Sequence, residues 1–198
     1  MPRFWDWRRP IKRLFPGVVW LVPLLLFVTP PELCMLASAV LLHEGGHLLA
    51  FAALGLPPPR PAAVSAGLML TPRMPLSYRH EALVAAAGPL ANLALAIPLL
   101  YFGRGEGAAA LGSVQLFCAA VNLLPLRGGD GGRTARAVLL LLLPPRVAER
   151  LADALSLFTV FFLLFALLYL LLSPGGAGIF LFLITLLQRA TVRTETPL

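Results

Sequence analysis

The sequence has few charged residues, only two cysteines and no long polar stretch. Of its 198 residues, 13% are charged and 59% are hydrophobic, a balance that excludes an ordinary soluble domain. Cys34 and Cys118 have no metal-ligand spacing and give no disulfide framework. Because apolar runs recur along the whole length, we expect one integral-membrane domain and no appended soluble domain.

The net charge of +7 could indicate nucleic-acid binding, but the positions of the basic residues argue against it. They cluster at the ends of apolar runs, as is typical of membrane topology. With six alternating spans, fifteen of the sixteen Lys and Arg residues fall on one side, and only Arg104 falls on the other. We therefore expect a multi-pass protein of the cell membrane, with both termini cytoplasmic, a lipid bilayer around it and no nucleic-acid partner.

The pattern predicts an all-α polytopic membrane protein with about six transmembrane helices. The predicted spans cover about 15–28, 30–54, 82–102, 108–124, 155–172 and 177–188, the third interrupted by Gly88-Pro89. This leaves 1–14 as a cytoplasmic N-terminal segment, 15–190 as the membrane domain and 191–198 as a cytoplasmic tail. Two shorter apolar stretches remain. Residues 62–70 predict a short strand, a re-entrant segment or a plain interfacial loop, and 134–143 predict an interfacial helix or the lead-in to the next span.

The second predicted helix has clear start and stop signals. Thr29-Pro30-Pro31-Glu32 has the form of a capping box, with proline at the first helical position. The helix is expected to end at Gly55, before a run of prolines. At about 1.5 Å per residue, His43 lies roughly 20 Å from the cap. The charge distribution places this part of the helix in the cytoplasmic half of the membrane.

Within that helix, His43-Glu44-Gly45-Gly46-His47 forms an H-E-x-x-H motif. Residues four apart share one helix face, so His43 and His47 can hold one zinc ion. Glu44 is then placed to take a proton from a water that the metal activates. Histidines in a helix are more often hydrogen-bonded to a neighbouring helix, but two of them with a carboxylate in lipid would need several partners without a metal.

A catalytic zinc site needs a third protein ligand and an open position. His80 lies at the interfacial end of the third span, where it is expected to be solvated. Asp130 follows the fourth span in a glycine-rich turn, at the same end of the membrane as the two histidines. An isolated aspartate before a glycine would ordinarily be a solvated turn residue. The matching depth makes Asp130 the predicted third ligand.

Two further polar motifs lie in neighbouring spans. Gly88-Pro89-Leu90-Ala91-Asn92 is in the third span, and Asn122-Leu123-Leu124-Pro125 ends the fourth. The glycine and proline could form a simple kink or contact a substrate. The two asparagines could equally be hydrogen-bonding links between helices.

Together, these motifs resemble the site-2 protease family of intramembrane zinc metalloproteases. The resemblance covers about residues 30–140, which we take as the catalytic core, and the step from Asn122 to Asp130 fits the family. It implies His43, His47 and Asp130 as ligands of one Zn²⁺ per chain, and Glu44 as the catalytic acid and base. Asn92 and Asn122 would hold the substrate backbone or an oxyanion. The chain looks like the compact, sporulation-type branch without a PDZ or CBS domain.

One departure concerns the loop before Asp130. The family often has a proline and a leucine there, where this chain has Arg127-Gly128-Gly129, which leaves the rigidity of the loop open. The implied activity is hydrolysis of a peptide bond in or near a transmembrane segment of a membrane-anchored substrate, releasing a regulator. Besides the substrate, the sequence leaves open a second partner, a membrane protein that regulates or inhibits the enzyme. The alternative functions are a metal-binding transporter and an inactive protease-like scaffold.

Overall fold

The computed structural model describes residues 29–64 and 67–171, and within them five helices and a β-hairpin. In chain order these are α1 (Pro30–Ala53), β1 (Arg60–Val64), β2 (Gly67–Thr71), α2 (Tyr78–Phe102), α3 (Glu106–Leu123), α4 (Asp130–Leu142) and α5 (Pro145–Leu171). Four of these helices, α1, α2, α3 and α5, are long and apolar enough to cross a membrane. The predicted spans over 15–28 and 177–188 lie outside the described residues, so the count of six stays a prediction.

Helix α1 begins where its capping box predicts. The Thr29 backbone N–H donates to Glu32 Oε2 at 2.8 Å, and the Thr29 hydroxyl donates to the same oxygen at 2.8 Å. The helix ends at Ala53 with Leu54 as its C-cap, and Gly55 follows with φ of +64°, a conformation that glycine adopts without a steric penalty. Both predicted ends of this helix are therefore confirmed.

Helix α2 is the central element, since it packs against α1, α3 and α4. It runs without a break through Pro89 and Pro98, so the predicted interruption at Gly88-Pro89 is wrong. A proline removes one backbone hydrogen bond from a helix, and that loss can be tolerated where neighbouring helices hold the segment in place. Pro89 and Ala85, one turn earlier, are both buried against those neighbours.

The α1–α2 contact depends on a glycine. A Cβ atom at Gly46 would lie 2.6 Å from the carbonyl oxygen of Ala87 and 2.8 Å from the Cβ of Ala91. A Cβ atom at the adjacent Gly45 would face open space: apart from its chain neighbours and the backbone of its own helix, no atom of the described residues lies within 4 Å. Small residues let membrane helices approach closely, and here the approach brings the histidine face of α1 against α2.

The chain after α3 differs from the predicted boundaries. Helix α4 begins at Asp130, four residues before the predicted start at 134, and it is not among the helices long enough to cross. Helix α5 begins at Pro145, and the predicted span over 155–172 is its second part. Proline is well tolerated in the first turn of a helix, which explains the early start. An ion pair between Arg136 and Glu149 links the two helices.

The segment after α1 is a β-hairpin. β1 and β2 are antiparallel, with Arg60 opposite Thr71 and Val64 opposite Gly67. Of the three structures considered for 62–70, the strand is therefore confirmed. Helices still make up nearly all of the described structure, as the predicted all-α class requires.

Replacing Gly46 by Ala should destabilise the fold, whereas replacing Gly45 by Ala should not. The added methyl at position 46 forces α1 away from α2, and overpacking of this kind costs about 1–3 kcal/mol. At position 45 the same change gains up to about 1 kcal/mol of helix propensity. The unfolding temperatures of the two variants in detergent micelles, with chelator present, measure the difference. Equal temperatures for the two would contradict the packing described.

Candidate metal centre

The two histidines of the H-E-x-x-H motif lie on the buried face of α1. That face repeats every four residues and consists of Ala39, His43, His47 and Phe51. Each histidine is only 6% exposed. The helical period therefore turns both imidazoles towards α2, as the motif predicts.

Three electron-rich atoms converge at this point. His43 Nε2 lies 2.9 Å from Asp130 Oδ2, and His47 Nε2 lies 3.2 Å from the same oxygen. The two Nε2 atoms are 3.2 Å apart. Within the described residues this is the single group of three His, Cys, Asp or Glu side chains that could hold a metal ion.

The donor set and its spacing fit zinc. Two imidazole nitrogens and one carboxylate oxygen are a known ligand set of catalytic zinc sites. Ligand atoms about 2.0–2.2 Å from a tetrahedral zinc ion are about 3.3–3.6 Å apart. The three separations of 2.9, 3.2 and 3.2 Å come within a few tenths of an ångström of that value. A cation here would also relieve the repulsion between the converging lone pairs.

Helix α2 orients both imidazole rings through their other nitrogen. His47 Nδ1 donates to the backbone carbonyl of Val84 at 2.7 Å, because a carbonyl oxygen can only accept. His43 Nδ1 lies 3.0 Å from Asn92 Oδ1. Metal-binding histidines usually have such a partner on the second nitrogen, which fixes the ring and leaves the first nitrogen facing the metal.

Gly88 of α2 makes room for both rings. A Cβ atom there would lie 2.5 Å from His47 Nε2 and 2.9 Å from His43 Cε1. Gly88 is therefore required by the site itself, and neither of the two predicted roles, a kink or a substrate contact, is needed to explain it.

Asp130 reaches the histidines because the chain folds back tightly after α3. A Cβ atom at Gly131 would collide with the carbonyl oxygen of Leu123, and one at Gly132 would collide with that of Leu126. The loop before it is held as well: the Arg127 N–H donates to Ser156 Oγ at 3.0 Å. This close packing against the end of α3 therefore keeps the Asp130 side chain at the depth of the histidines.

The Asp130 carboxyl group is stabilised in its ionised form. Its other oxygen, Oδ1, lies 3.6 Å from Arg133 Nη1, and Arg133 Nε lies 3.7 Å from Glu81 on α2. An ionised carboxylate is the form that binds a metal.

The comparisons with known proteins agree with this arrangement at the level of the fold. The structure is similar to that of the site-2 protease from Methanocaldococcus jannaschii, with a TM-score of 0.64 and 21% sequence identity. The similarity covers 89% of this chain and 86% of that one. The chain has the fold of a site-2 protease. No family model and no curated protein matches its sequence.

In this site-2 protease fold, Glu44 lies beside the ligand cluster and is only partly buried. Its carboxylate has no hydrogen bond or ion pair with any of the residues described. Unlike the two histidines, it is thus free to contact a water molecule or a substrate. An unpaired carboxylate on a membrane helix is costly and points to function.

The structure places the other predicted residues in different surroundings. Asn92 is fully buried, with its amide group bonded to α1 and α3. The Asn122 side chain donates to the carbonyl oxygen of Cys118, one turn earlier in α3, at 2.9 Å. His80 is in the first turn of α2 and outside the metal-binding group. A substrate contact for either asparagine stays a prediction.

Three residues near the site are absent from the sequence-based prediction: Glu81, Gln115 and Arg133. Gln115 could have been noticed, since a glutamine inside an apolar span usually has a specific partner. Glu81 and Arg133 lie near the ends of helices, where charged residues are common. Nothing in their spacing shows that they meet beside Asp130.

Replacing Gly88 by Ala should weaken metal binding by at least about tenfold, as loss of ligand orientation commonly does. The new methyl would displace both imidazoles from the point they share. Zinc affinity, measured by competition with a chromophoric chelator, tests this. Gly107→Ala is the control, because a Cβ atom there would meet nothing within 4 Å among the described residues beyond its chain neighbours and the backbone of its own helix. Unchanged affinity in Gly88→Ala would refute the close approach.

Proposed function

We propose that the chain is an intramembrane zinc metalloprotease that cleaves a membrane-anchored protein substrate in or near its transmembrane segment. The observation that carries this proposal is the convergence of His43 Nε2, His47 Nε2 and Asp130 Oδ2 within a site-2 protease fold. Four helices able to cross a membrane place that point among apolar elements, where such polar groups are costly.

His43, His47 and Asp130 would hold the zinc ion, and Glu44 would move the proton. When bound, zinc supplies Lewis acidity, which lowers the pKa of water and polarises a peptide carbonyl. The unpaired Glu44 carboxylate takes a proton from the attacking water. It then gives the proton to the nitrogen of the departing amine.

The substrate must present an extended peptide to this site. In a transmembrane helix every peptide carbonyl is hydrogen-bonded, so the helix must unwind locally before cleavage. The β1–β2 hairpin offers a strand edge on which an extended segment could pair. Asn92 and Asn122 stay our candidates for substrate or oxyanion contacts, although such a contact from Asn92 would have to replace its bond to Ala39 or Gln115. Release of a membrane-bound regulator is the biological outcome we expect.

Replacing Glu44 by Gln should abolish cleavage and leave zinc bound. Glutamine keeps the shape of the side chain but cannot accept the proton, and removal of a general base costs about 10²–10⁴-fold in rate. Co-expression with tagged candidate membrane-anchored regulators, followed by immunoblotting for a zinc-dependent fragment, measures cleavage. Glu106→Gln, in the exposed first turn of α3, is the control.

The same variant distinguishes the alternative functions. A metal transporter would keep its transport in Glu44→Gln, because that carboxylate is not among the three converging ligands. An inactive scaffold would show no fragment with the wild-type chain either. Cleavage that persists in Glu44→Gln would refute the assigned role of this residue.

The proposed topology, with both termini cytoplasmic, predicts opposite sides for the two ends of α2. A cysteine at position 104 should react with a membrane-impermeant maleimide in intact cells, whereas one at 73 should react only after permeabilisation. Arg104 and Arg73 are both exposed, so accessibility to solvent does not separate them. Cys34 and Cys118 are replaced by Ser beforehand. The reverse labelling pattern would invert the orientation.

A further inference from the structure

A glutamine of α3 is buried behind the histidines. Gln115 is 0% exposed, and its Oε1 accepts a hydrogen bond from Asn92 Nδ2 at 2.6 Å. Asn92 in turn lies against His43. A chain of polar side chains therefore runs from α3 through α2 to the metal-binding face of α1.

The direction of this chain is set by the two acceptors that Asn92 Nδ2 faces, a backbone carbonyl and Gln115 Oε1. Asn92 Nδ2 also donates to the carbonyl oxygen of Ala39 at 2.9 Å. A carbonyl oxygen only accepts, so the amide nitrogen must face Ala39 and Gln115, and Oδ1 must face His43. Both hydrogens of the Asn92 amide are then used, one on each acceptor.

That orientation decides which nitrogen of His43 carries the hydrogen. Asn92 Oδ1 can only accept, so His43 Nδ1 carries the proton and donates it at 3.0 Å. In the neutral ring, Nε2, which faces Asp130, then keeps its lone pair for a metal. If the Asn92 amide were reversed, its nitrogen would face Nδ1, the proton would move to Nε2, and the lone pair would be lost to a metal.

The two histidines differ in what secures them. His47 Nδ1 is bonded to the carbonyl oxygen of Val84, a backbone group that cannot reverse. The His43 partner is a side-chain amide, whose orientation depends on the acceptors around it. Gln115 supplies one of the two acceptors. The other is the backbone carbonyl of Ala39.

Gln115 is held there in spite of an unfavourable feature. Its Nε2 atom has no hydrogen-bond partner among residues 29–64 and 67–171. A buried donor without a partner reduces stability, and an apolar side chain of similar size would avoid that loss. The carbonyl oxygen of Gln115 is therefore the part of the side chain that the site uses.

We infer that Gln115 is a positioning residue for the metal centre, which helps to hold the Asn92 amide in the orientation that accepts from His43 Nδ1. The inference rests on the proposed metal site, but it concerns the orientation of the Asn92 amide, which is set before any metal binds. It also predicts that Gln115 acts on one histidine and leaves the other unchanged.

The experiment compares Gln115→Leu with two other variants. Leucine removes the acceptor and keeps a similar volume. Gln115→Glu restores an acceptor, because burial keeps its carboxyl protonated and its carbonyl oxygen can face Asn92. Thr159→Val is the matched control, since Thr159 is buried on α5 and, within the part of the chain that the structure describes, its side chain bonds only to its own helix at Leu155. All are made in a His80→Gln background, so that two imidazoles remain.

The first measurement is the imidazole ¹⁵N chemical shifts of the metal-free protein in lipid vesicles at pH 8. We expect both rings to carry a hydrogen on Nδ1 in the parent, in Gln115→Glu and in Thr159→Val, whether or not Nε2 also carries one towards Asp130. In Gln115→Leu, one ring should show a population without a hydrogen on Nδ1. A parent protein with a ring that lacks the Nδ1 hydrogen, or a leucine variant with both rings unchanged, would overturn the inference; the parent measurement needs no folded variant.

The second measurement is zinc affinity by chelator competition. Gln115→Leu should bind zinc about tenfold more weakly than the parent, in the range found for residues that orient metal ligands. The glutamate variant should recover most of that loss. If the parent itself fails to bind zinc, the proposed metal site is wrong. If the parent binds and the leucine variant binds equally well, only the role of Gln115 is wrong.

Discussion

Everything in this structure depends on how two imidazoles can be held inside an apolar helix bundle. Lipid offers no hydrogen bonds, so each ring nitrogen needs a partner from the protein or a metal. The outer nitrogens of His43 and His47 are bonded to α2, at Asn92 and Val84. Their inner nitrogens meet the Asp130 carboxylate. The other helices are arranged so that these four interactions can occur together.

Helix α2 provides most of that arrangement through residues spaced one turn apart. Val84, Gly88 and Asn92 follow each other at intervals of four, so they form one face opposite the histidines. The Val84 carbonyl accepts a hydrogen bond from the His47 ring, and Asn92 orients the His43 ring. Gly88, between them, leaves space for both rings. Unbroken helical geometry is needed for this spacing, which is why α2 continues through Pro89. A kink there would separate the upper and lower parts of the face.

Several features were predictable because they are local. The capped start of α1, its end at Gly55 and the shared face of His43 and His47 all follow from helix geometry within one segment. Asp130 was predicted from depth alone, since its position after α3 sets its height in the membrane. The start of α4 was not predictable in the same way, because its first turn includes two glycines that only close packing against the end of α3 accounts for.

The class of the protein, the helix that carries the motif and the three converging side chains were therefore predictable from the sequence. The contacts that orient these side chains depend on the packing of the helices. Which face of α3 meets α2, and hence that Gln115 reaches Asn92, depends on how the helices pack. The same holds for Arg133, whose contact with Asp130 and Glu81 joins α4 to α2. Helical periodicity fixes neighbours within a helix, whereas contacts between helices depend on the packing of whole surfaces.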